Sequence, residues 1–309
     1  MATVLVTGAA GFLGAALTRK LLADNHDVIA LDVVPPAEAW RLDLDTPGLE
    51  YKWISIHDLQ PGDIPTHVVH CAAPTNVNQV AQTPRHAAHL AVDGTVAVLE
   101  AARRSGRVER FVHISTHSVY GNQPVQPIPE YVKLRPGTLY GALKAAQEII
   151  ALTYYECYDM PVVVIRSATL FGVFERSGAL VRTFLERVRD GKPIILTGDG
   201  SQSRDLSYID NTVEGVLLAL FTHDRNVPGK ILNIGSGQDV PIRVLAEQAI
   251  RLMDGDAGLL RFGPPRPGEE GRLSLDLSEA RHLLGYDPPV SFEEGLRRTA
   301  AWVKELRRC

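Results

Sequence analysis

Short β-rich runs alternate with longer amphipathic stretches along the first half of the chain. The runs predict six strands, at residues 3–7, 27–31, 51–55, 67–71, 110–115 and 162–165. Helical spacing predicts long helices over residues 85–104 and 139–158. The interval between Asp32 and Tyr51 contains three prolines and is short for a crossover helix, so an abbreviated connection is expected there. Strands alternating with helices predict an α/β fold built on a doubly wound parallel sheet.

After Gly172 the alternation becomes less regular, and helices are predicted at residues 178–189, 242–253 and 292–307. Turns rich in glycine and proline separate them. We therefore expect a dinucleotide-binding (Rossmann) domain over residues 1–171 and a smaller C-terminal α/β lobe, mainly substrate-binding, over residues 172–309. About residues 207–238 are expected to return to the first domain.

Composition excludes several classes of protein. The 309 residues are 45% apolar, which can fill the core of one large or two modest domains, and no apolar run approaches the roughly 20 residues of a membrane helix. The first residues lack a secretory pattern, so a cytoplasmic enzyme without membrane contact is expected. A net charge of −4 without a basic block argues against nucleic acid as a partner. The cysteines at positions 71, 157 and 309 are too scattered for a disulfide framework or a zinc site.

A glycine-rich turn follows the first strand and opens a helix. Its glycines, Gly8, Gly11 and Gly14, have GxxGxxG spacing, and with Phe12 and Leu13 they predict a pyrophosphate site made of backbone amides. Asp32, 18 residues after Gly14 at the end of the second strand, can accept hydrogen bonds from a ribose 2′-hydroxyl. NAD is therefore favoured over NADP as the cofactor. The alternatives are an ordinary β–α turn, a simple turn role for Asp32, and a different nucleotide ligand.

Tyr140 and Lys144 lie four residues apart on the helix predicted over residues 139–158. The ordinary pKa of a phenol is near 10, and a neighbouring ammonium together with the positive nicotinamide ring would lower it. Tyr140 would then serve as a catalytic acid/base. A pair with this spacing, taken alone, is common on exposed helices.

Taken together, these motifs resemble the extended short-chain dehydrogenase/reductase family, in particular its NAD-dependent nucleotide-sugar epimerase/dehydratase branch, of the UDP-glucose 4-epimerase kind. Further matching segments are residues 70–73, 94–102 and 114–121. The resemblance implies that Thr116 is the third catalytic group, with Ser115 the weaker candidate, and that Lys144 also contacts the nicotinamide ribose. It also implies adenine contacts at Asp58 and Leu59, close backbone approach to the cofactor at Ala72 and Ala73, and a homodimer formed by the two long helices.

On the substrate side, the resemblance implies that Arg204 and Arg266 bind the diphosphate of a nucleoside diphosphate sugar, although either arginine could instead be solvated or ion-paired. His117 follows Thr116 and is a further substrate-binding candidate, with an ordinary turn residue as the alternative. Thr169 stands where the family has an asparagine that commonly contacts the substrate phosphates. His86 and His89 lie at helical spacing but have no apparent third ligand, so no metal is expected.

The residues after Thr116 narrow the reaction. Dehydratases of the family carry an acid–glutamate pair there, and decarboxylases carry a glutamate at the second position, whereas this chain has His117 and Ser118. The resemblance therefore favours 4-epimerisation of a nucleoside diphosphate hexose through a transient 4-keto sugar. An NAD-dependent dehydrogenase or reductase of a nucleotide-sugar or another secondary alcohol would use the same residues. A non-catalytic nucleotide-sensing regulator is a further alternative, although such proteins lose the tyrosine or the lysine.

Overall fold

The computed structural model describes residues 1–264 and 271–306. Its strands are β1 (Thr3–Thr7), β2 (Asp27–Asp32), β3 (Leu49–Trp53), β4 (His67–His70), β5 (Arg110–Thr116), β6 (Val162–Ser167), β7 (Thr169–Phe171), β8 (Ile194–Thr197), β9 (Ser203–Arg204), β10 (Leu206–Tyr208), β11 (Ile231–Ile234), β12 (Val240–Pro241) and β13 (Leu260–Gly263). Its helices are α1 (Phe12–Ala23), α2 (Val77–Gln82), α3 (Pro84–Ala88), α4 (Gly94–Ser105), α5 (Leu139–Tyr158), α6 (Leu180–Arg189), α7 (Ile209–Phe221), α8 (Ile242–Leu252), α9 (Ser278–Leu284) and α10 (Phe292–Glu305).

Seven parallel strands form the large sheet, in the order β11-β6-β5-β4-β1-β2-β3. All six predicted strands are present, and β11 adds a seventh at the edge beside β6. The strand order reverses between β1 and β4, which is the place where doubly wound sheets bind nucleotides. β5 and β6 are buried along their whole length, as expected of strands that carry helices on both faces. The predicted fold class is therefore confirmed.

Side chains of β1 separate the two faces of this sheet. Val4 and Val6 join the hydrophobic cluster that includes α1 and α7, whereas Leu5 joins the cluster on the opposite face, which includes buried residues of α4 and α5. This alternation follows from the two-residue repeat of a strand. The sheet consequently holds α5, with its predicted catalytic residues, against β5 and β6.

The long helices differ in how closely they match prediction. α5 has the predicted bounds, and the Thr138 side chain caps it by accepting a hydrogen bond from Gly141 N at 3.1 Å. The predicted helix over residues 85–104 is instead divided, because a π-helical turn, His89–Asp93, separates α3 from α4. The connection between β2 and β3 contains the 3-10 turn Pro36–Glu38, other turns and bends, and no α-helix, which confirms the predicted abbreviation.

A smaller lobe begins with β7. It contains three two-stranded sheets, β10 with β7, β12 with β9 and β13 with β8, together with α6, α8 and α10. The chain also returns to the large sheet, because α7 packs against α1 and β11 pairs with β6. Among the described residues, no helix combines the length and the apolar character needed to cross a membrane.

Candidate active site

A cleft of about 890 Å³ opens at the carboxyl ends of the large sheet, within the size range of ligand pockets. Residues at or just after the ends of β1, β2, β4, β5 and β6 line the cleft, together with residues of α2 and α3 and residues 175, 176 and 178–181 of the smaller lobe. Most of the residues predicted to bind cofactor or to act in catalysis line this cleft: Gly8, Gly11, Phe12, Leu13, Gly14, Asp32, Ala72, Ala73, Thr116, Tyr140 and Lys144.

The glycine turn is shaped so that only glycine fits at two of its positions. A Cβ on Gly8, whose φ is +68°, would lie 2.9 Å from Ala72 Cα, and a Cβ on Gly14 would lie 2.1 Å from the Gly8 carbonyl oxygen. Gly11 is the N-cap of α1 and provides no side-chain cap. The first amides of α1 therefore remain available for an anion at the helix N-terminus, as a dinucleotide pyrophosphate requires.

Asp32 is held in the cleft wall by two backbone amides. Its Oδ2 accepts a hydrogen bond from Ala10 N at 2.9 Å and its Oδ1 accepts one from Val34 N at 3.1 Å. Each carboxylate oxygen keeps acceptor capacity for a ribose hydroxyl. The cradle made by these residues therefore fits NAD.

The two residues predicted to contact adenine lie outside the cleft lining. Asp58 is exposed in the 3-10 turn Ile56–Asp58 and Leu59 is buried, and neither is part of the cleft lining. Their neighbours Ser55 and Ile56 line the cleft instead. The adenine contacts of Asp58 and Leu59 stay a prediction.

Tyr140 and Lys144 lie on the first turns of α5 and both line the cleft. Lys144 is 4% exposed and donates a hydrogen bond to the Ile114 carbonyl oxygen at 2.8 Å, and burial lowers its pKa to about 8. Burial also raises the pKa of the Tyr140 phenol, and a hydrogen bond with Thr116 and the charge of Arg176 oppose this change. The tyrosine pKa therefore moves up, because desolvation outweighs the hydrogen bond with Thr116 and the charge of Arg176, and the expected lowering by Lys144 is not among the effects on this phenol.

The structure separates the two hydroxyl candidates before α5. Both Ser115 and Thr116 line the cleft, and Thr116 Oγ1 accepts a hydrogen bond from Ser118 N at 3.2 Å. Ser115 donates instead to the Glu148 carboxylate, which forms a buried ion pair with Arg166 at 2.8 Å. Ser115 therefore belongs to the contacts that fix α5 to β6, which favours Thr116 as the third catalytic group.

The predicted substrate residues are partly brought together. His117 and Thr169 line the cleft, and His117 Nδ1 lies 3.2 Å from the Ser167 carbonyl oxygen. Burial lowers the pKa of His117 to about 4, and the charge of Arg204 adds to this effect. Arg204 lies in β9, outside the cleft lining, with its Nη1 donating to the Ser203 carbonyl oxygen at 2.7 Å. Arg266 lies outside the described residues.

Three cleft residues were missed in the sequence. Arg41 donates to the Phe174 carbonyl oxygen at 2.9 Å and to the Ala10 carbonyl oxygen at 3.3 Å, so it links the glycine turn to the smaller lobe. Glu175 is 4% exposed, its Oε2 has no hydrogen-bond partner, and burial raises its pKa to about 8. Arg176 provides the charge near Tyr140. None of the three falls in a recognisable motif.

Sheet topology, glycine turn and the Thr116–Tyr140–Lys144 set together define an NAD-dependent enzyme of the extended short-chain dehydrogenase type. The chain belongs to the NAD dependent epimerase/dehydratase family, whose model matches residues 4–235.

Relatives of both reaction types resemble the whole chain. The UDP-glucose 4-epimerase of Mycolicibacterium smegmatis is 32% identical, over 97% of this chain and 98% of the relative. The dTDP-glucose 4,6-dehydratase of Streptomyces niveus is 30% identical, over 98% of this chain and 93% of the relative. The solved structure of UDP-glucuronic acid 4-epimerase from Bacillus cereus with UDP-glucuronic acid and NAD is 28% identical, with a TM-score of 0.89 and coverage of 99% and 100%. These findings confirm the predicted family and NAD dependence, and they support the epimerase interpretation.

Proposed function

We propose that the chain is a 4-epimerase of a nucleoside diphosphate hexose. The observation that carries this proposal is the placement of Thr116, Tyr140 and Lys144 in one wall of the cleft beside the glycine turn, followed by His117 and Ser118 in place of an acid pair. Loss of water from a sugar needs a general acid and a general base beyond the tyrosine. Reversible oxidation at one carbon needs only the three residues present.

Bound NAD supplies a reversible hydride acceptor beside the sugar. Tyr140, as phenolate, takes the proton of the sugar 4-hydroxyl and later returns it to the 4-oxygen. Thr116 would hold that oxygen through its hydroxyl, and Lys144, whose amine is fixed by the Ile114 carbonyl, would supply a positive charge in the same cleft. The transient 4-keto sugar must turn over within the cleft between the two proton transfers.

His117, Thr169, Arg204 and Arg266 are proposed to bind the substrate. Since the Ser167 carbonyl oxygen can only accept, His117 Nδ1 carries the proton and Nε2 is an acceptor. Neutral His117 would therefore receive a hydrogen bond from a sugar hydroxyl. The arginines would contact the diphosphate.

A proton NMR assay tests the proposal. UDP- and dTDP-hexoses and hexuronic acids would be incubated with the enzyme and NAD, and we expect one of them to give its 4-epimer without net change in absorbance at 340 nm. Tyr140→Phe should abolish epimer formation while the protein still binds NAD, and Tyr131→Phe, which alters an exposed tyrosine outside α5 and outside the cleft lining, serves as the matched control. Sustained NADH formation would replace the epimerase by a dehydrogenase, and full activity of Tyr140→Phe would refute the catalytic role of the tyrosine.

We also propose that the protein is cytoplasmic and forms a homodimer through α4 and α5. Within each chain, we propose a domain over residues 1–171 and a lobe over residues 172–309. The exposure of Ile149 and Tyr158 on α5, 63% and 53%, supports a partner surface there. Light scattering tests the dimer, and cell fractionation tests the location.

A further inference from the structure

Two histidines and an aspartate from separate segments of the chain meet on the outer side of the cleft wall. His57 comes from the 3-10 turn Ile56–Asp58, and His89 and Asp93 come from the π-helical turn His89–Asp93. One ligand atom of each residue lies within 4.8 Å of those of the other two. Together they form what we name the His57 cluster: His57, His89 and Asp93.

Both histidines turn the same ring nitrogen toward one carboxylate oxygen. His57 Nδ1 lies 3.3 Å from Asp93 Oδ2, and His89 Nδ1 lies 3.4 Å from the same atom. These separations exceed the usual 2.7–3.2 Å of a hydrogen bond to oxygen. They match two edges of a tetrahedral zinc site, because metal–ligand bonds of about 2.1 Å give ligand–ligand separations of about 3.4 Å. The third edge, between the histidine ligand atoms, is within 4.8 Å.

The backbone that carries the cluster is already in place. A Cβ on Gly94, the residue after Asp93, would lie 2.5 Å from Ile56 Cδ1 and 3.7 Å from His57 Cε1, so the absence of a side chain at Gly94 lets the two turns pack together. Ile56 is buried against this glycine, at 8% exposure. The segment bearing His57 is therefore fixed relative to the π-helical turn by apolar packing, and an ion would not have to order either turn.

The outward side of the cluster is open. The side chains of His89 and Asp93 are 61% and 60% exposed, whereas that of His57 is 24% exposed. The two imidazole rings are stacked in parallel, with centroids 4.8 Å apart, so the in-plane lone pairs of both Nδ1 atoms can meet at one ion only after the exposed His89 ring rotates. Single π-helical turns within helices occur frequently at functional sites.

We infer that the His57 cluster is a binding site for one transition-metal ion of the zinc class, with His57, His89 and Asp93 as ligands and a fourth position left to water or a small anion. Neutral imidazole and carboxylate are ligands that suit Zn²⁺ and Co²⁺, and both accept tetrahedral coordination. The ion would join two stretches of chain, each of which also lines the cofactor cleft, at Ile56 and at Leu90. This site is independent of the proposed epimerase activity.

The test uses the full chain without a purification tag, titrated with Zn²⁺ by calorimetry and with Co²⁺ by visible absorption. We expect one equivalent of Zn²⁺ per chain and the intense visible bands of tetrahedral Co²⁺. His89→Ala and Asp93→Asn, which alter exposed side chains, should each weaken Zn²⁺ binding at least tenfold. His86→Ala is the matched control, since it removes an exposed histidine from α3 one turn before His89.

Binding of less than half an equivalent of Zn²⁺, or equal weakening by His86→Ala and His89→Ala, would overturn the inference. His57→Ala provides a second check, because its loss should convert tetrahedral Co²⁺ bands to the weak bands of an octahedral aqua complex. Unchanged Co²⁺ bands in that variant would remove His57 as a ligand and with it the proposed site.

Discussion

Glu175 offers the sharpest prediction of pH dependence. Its side chain is buried in the cleft wall, one carboxylate oxygen has no partner, and burial raises its pKa from an ordinary 4.5 to about 8. In the unfolded chain the Glu175 carboxyl ionises near pH 4.5, whereas in the folded protein it stays protonated until about pH 8. Its contribution to the free energy of unfolding is therefore fully present below pH 4.5 and is lost as the pH rises toward 8. The difference between the two pKa values of Glu175 corresponds to about 5 kcal/mol of folding free energy.

The variant Glu175→Gln keeps the size and removes the titration. As the pH rises from about 5.5 to about 7.5, the unmodified protein should therefore lose about 2 to 3 kcal/mol more free energy of unfolding than the variant does. Urea denaturation of nucleotide-free protein at both pH values measures this difference. Glu156→Gln removes an exposed carboxyl from α5 and measures the general effect of losing one negative charge. A difference between Glu175→Gln and the unmodified protein that stays constant with pH would refute the buried, protonated carboxyl.

Three further predictions concern the cleft. Thr116→Ala should lower kcat by about 100-fold with little change in the free energy of unfolding. Ser115→Ala should leave kcat within a few-fold and lower the free energy of unfolding by about 1 to 3 kcal/mol, because it removes a hydrogen bond from buried Glu148. Enzyme kinetics and urea denaturation measure the two effects, and the reverse pattern would exchange the roles of the two residues. Gly14→Ala should weaken NAD binding at least tenfold in a fluorescence titration, since its Cβ would lie 2.1 Å from a backbone oxygen of the glycine turn; unchanged affinity would contradict the tight turn. His117→Phe should raise KM for the nucleotide-sugar several-fold with a smaller effect on kcat, and an unchanged KM would remove His117 from the substrate site.

The fold was predictable where a strand and the following helix carry their own signals. β1 and α5 have the predicted bounds because the pattern of a buried apolar strand and that of a capped amphipathic helix each lie within the sequence of the segment itself. β11 was missed as a strand because four residues in an irregular region carry no clear period, and its strand conformation depends on pairing with β6. The π-helical turn that divides the helix predicted over residues 85–104 was missed for a related reason, since its sequence is compatible with an ordinary helix.

The residues of the candidate site likewise fall into those that the local sequence predicts and those that it does not. Gly8, Gly14, Tyr140 and Lys144 are recognisable because their roles depend on backbone conformation or on spacing within one helix. Arg41 is not, because its role comes from a hydrogen bond to a carbonyl oxygen 133 residues later in the chain.

Packing around that distant carbonyl explains why the substrate side of the cleft resists prediction. Phe174 has a φ of +70°, which is costly for a bulky residue and persists only where the surroundings hold it. Arg41 donates a hydrogen bond to its carbonyl oxygen and the Arg19 guanidinium lies 5.1 Å from the centre of its ring. Trp40 and Trp302 each pack against that ring in a T-shaped arrangement, with centroids 6.0 Å apart. The conformation of this loop, and with it the direction of the neighbouring Glu175 and Arg176 side chains, is therefore set by residues from three distant parts of the chain. Sugar specificity should then respond to changes at Trp40 or Trp302, although neither is part of the cleft lining.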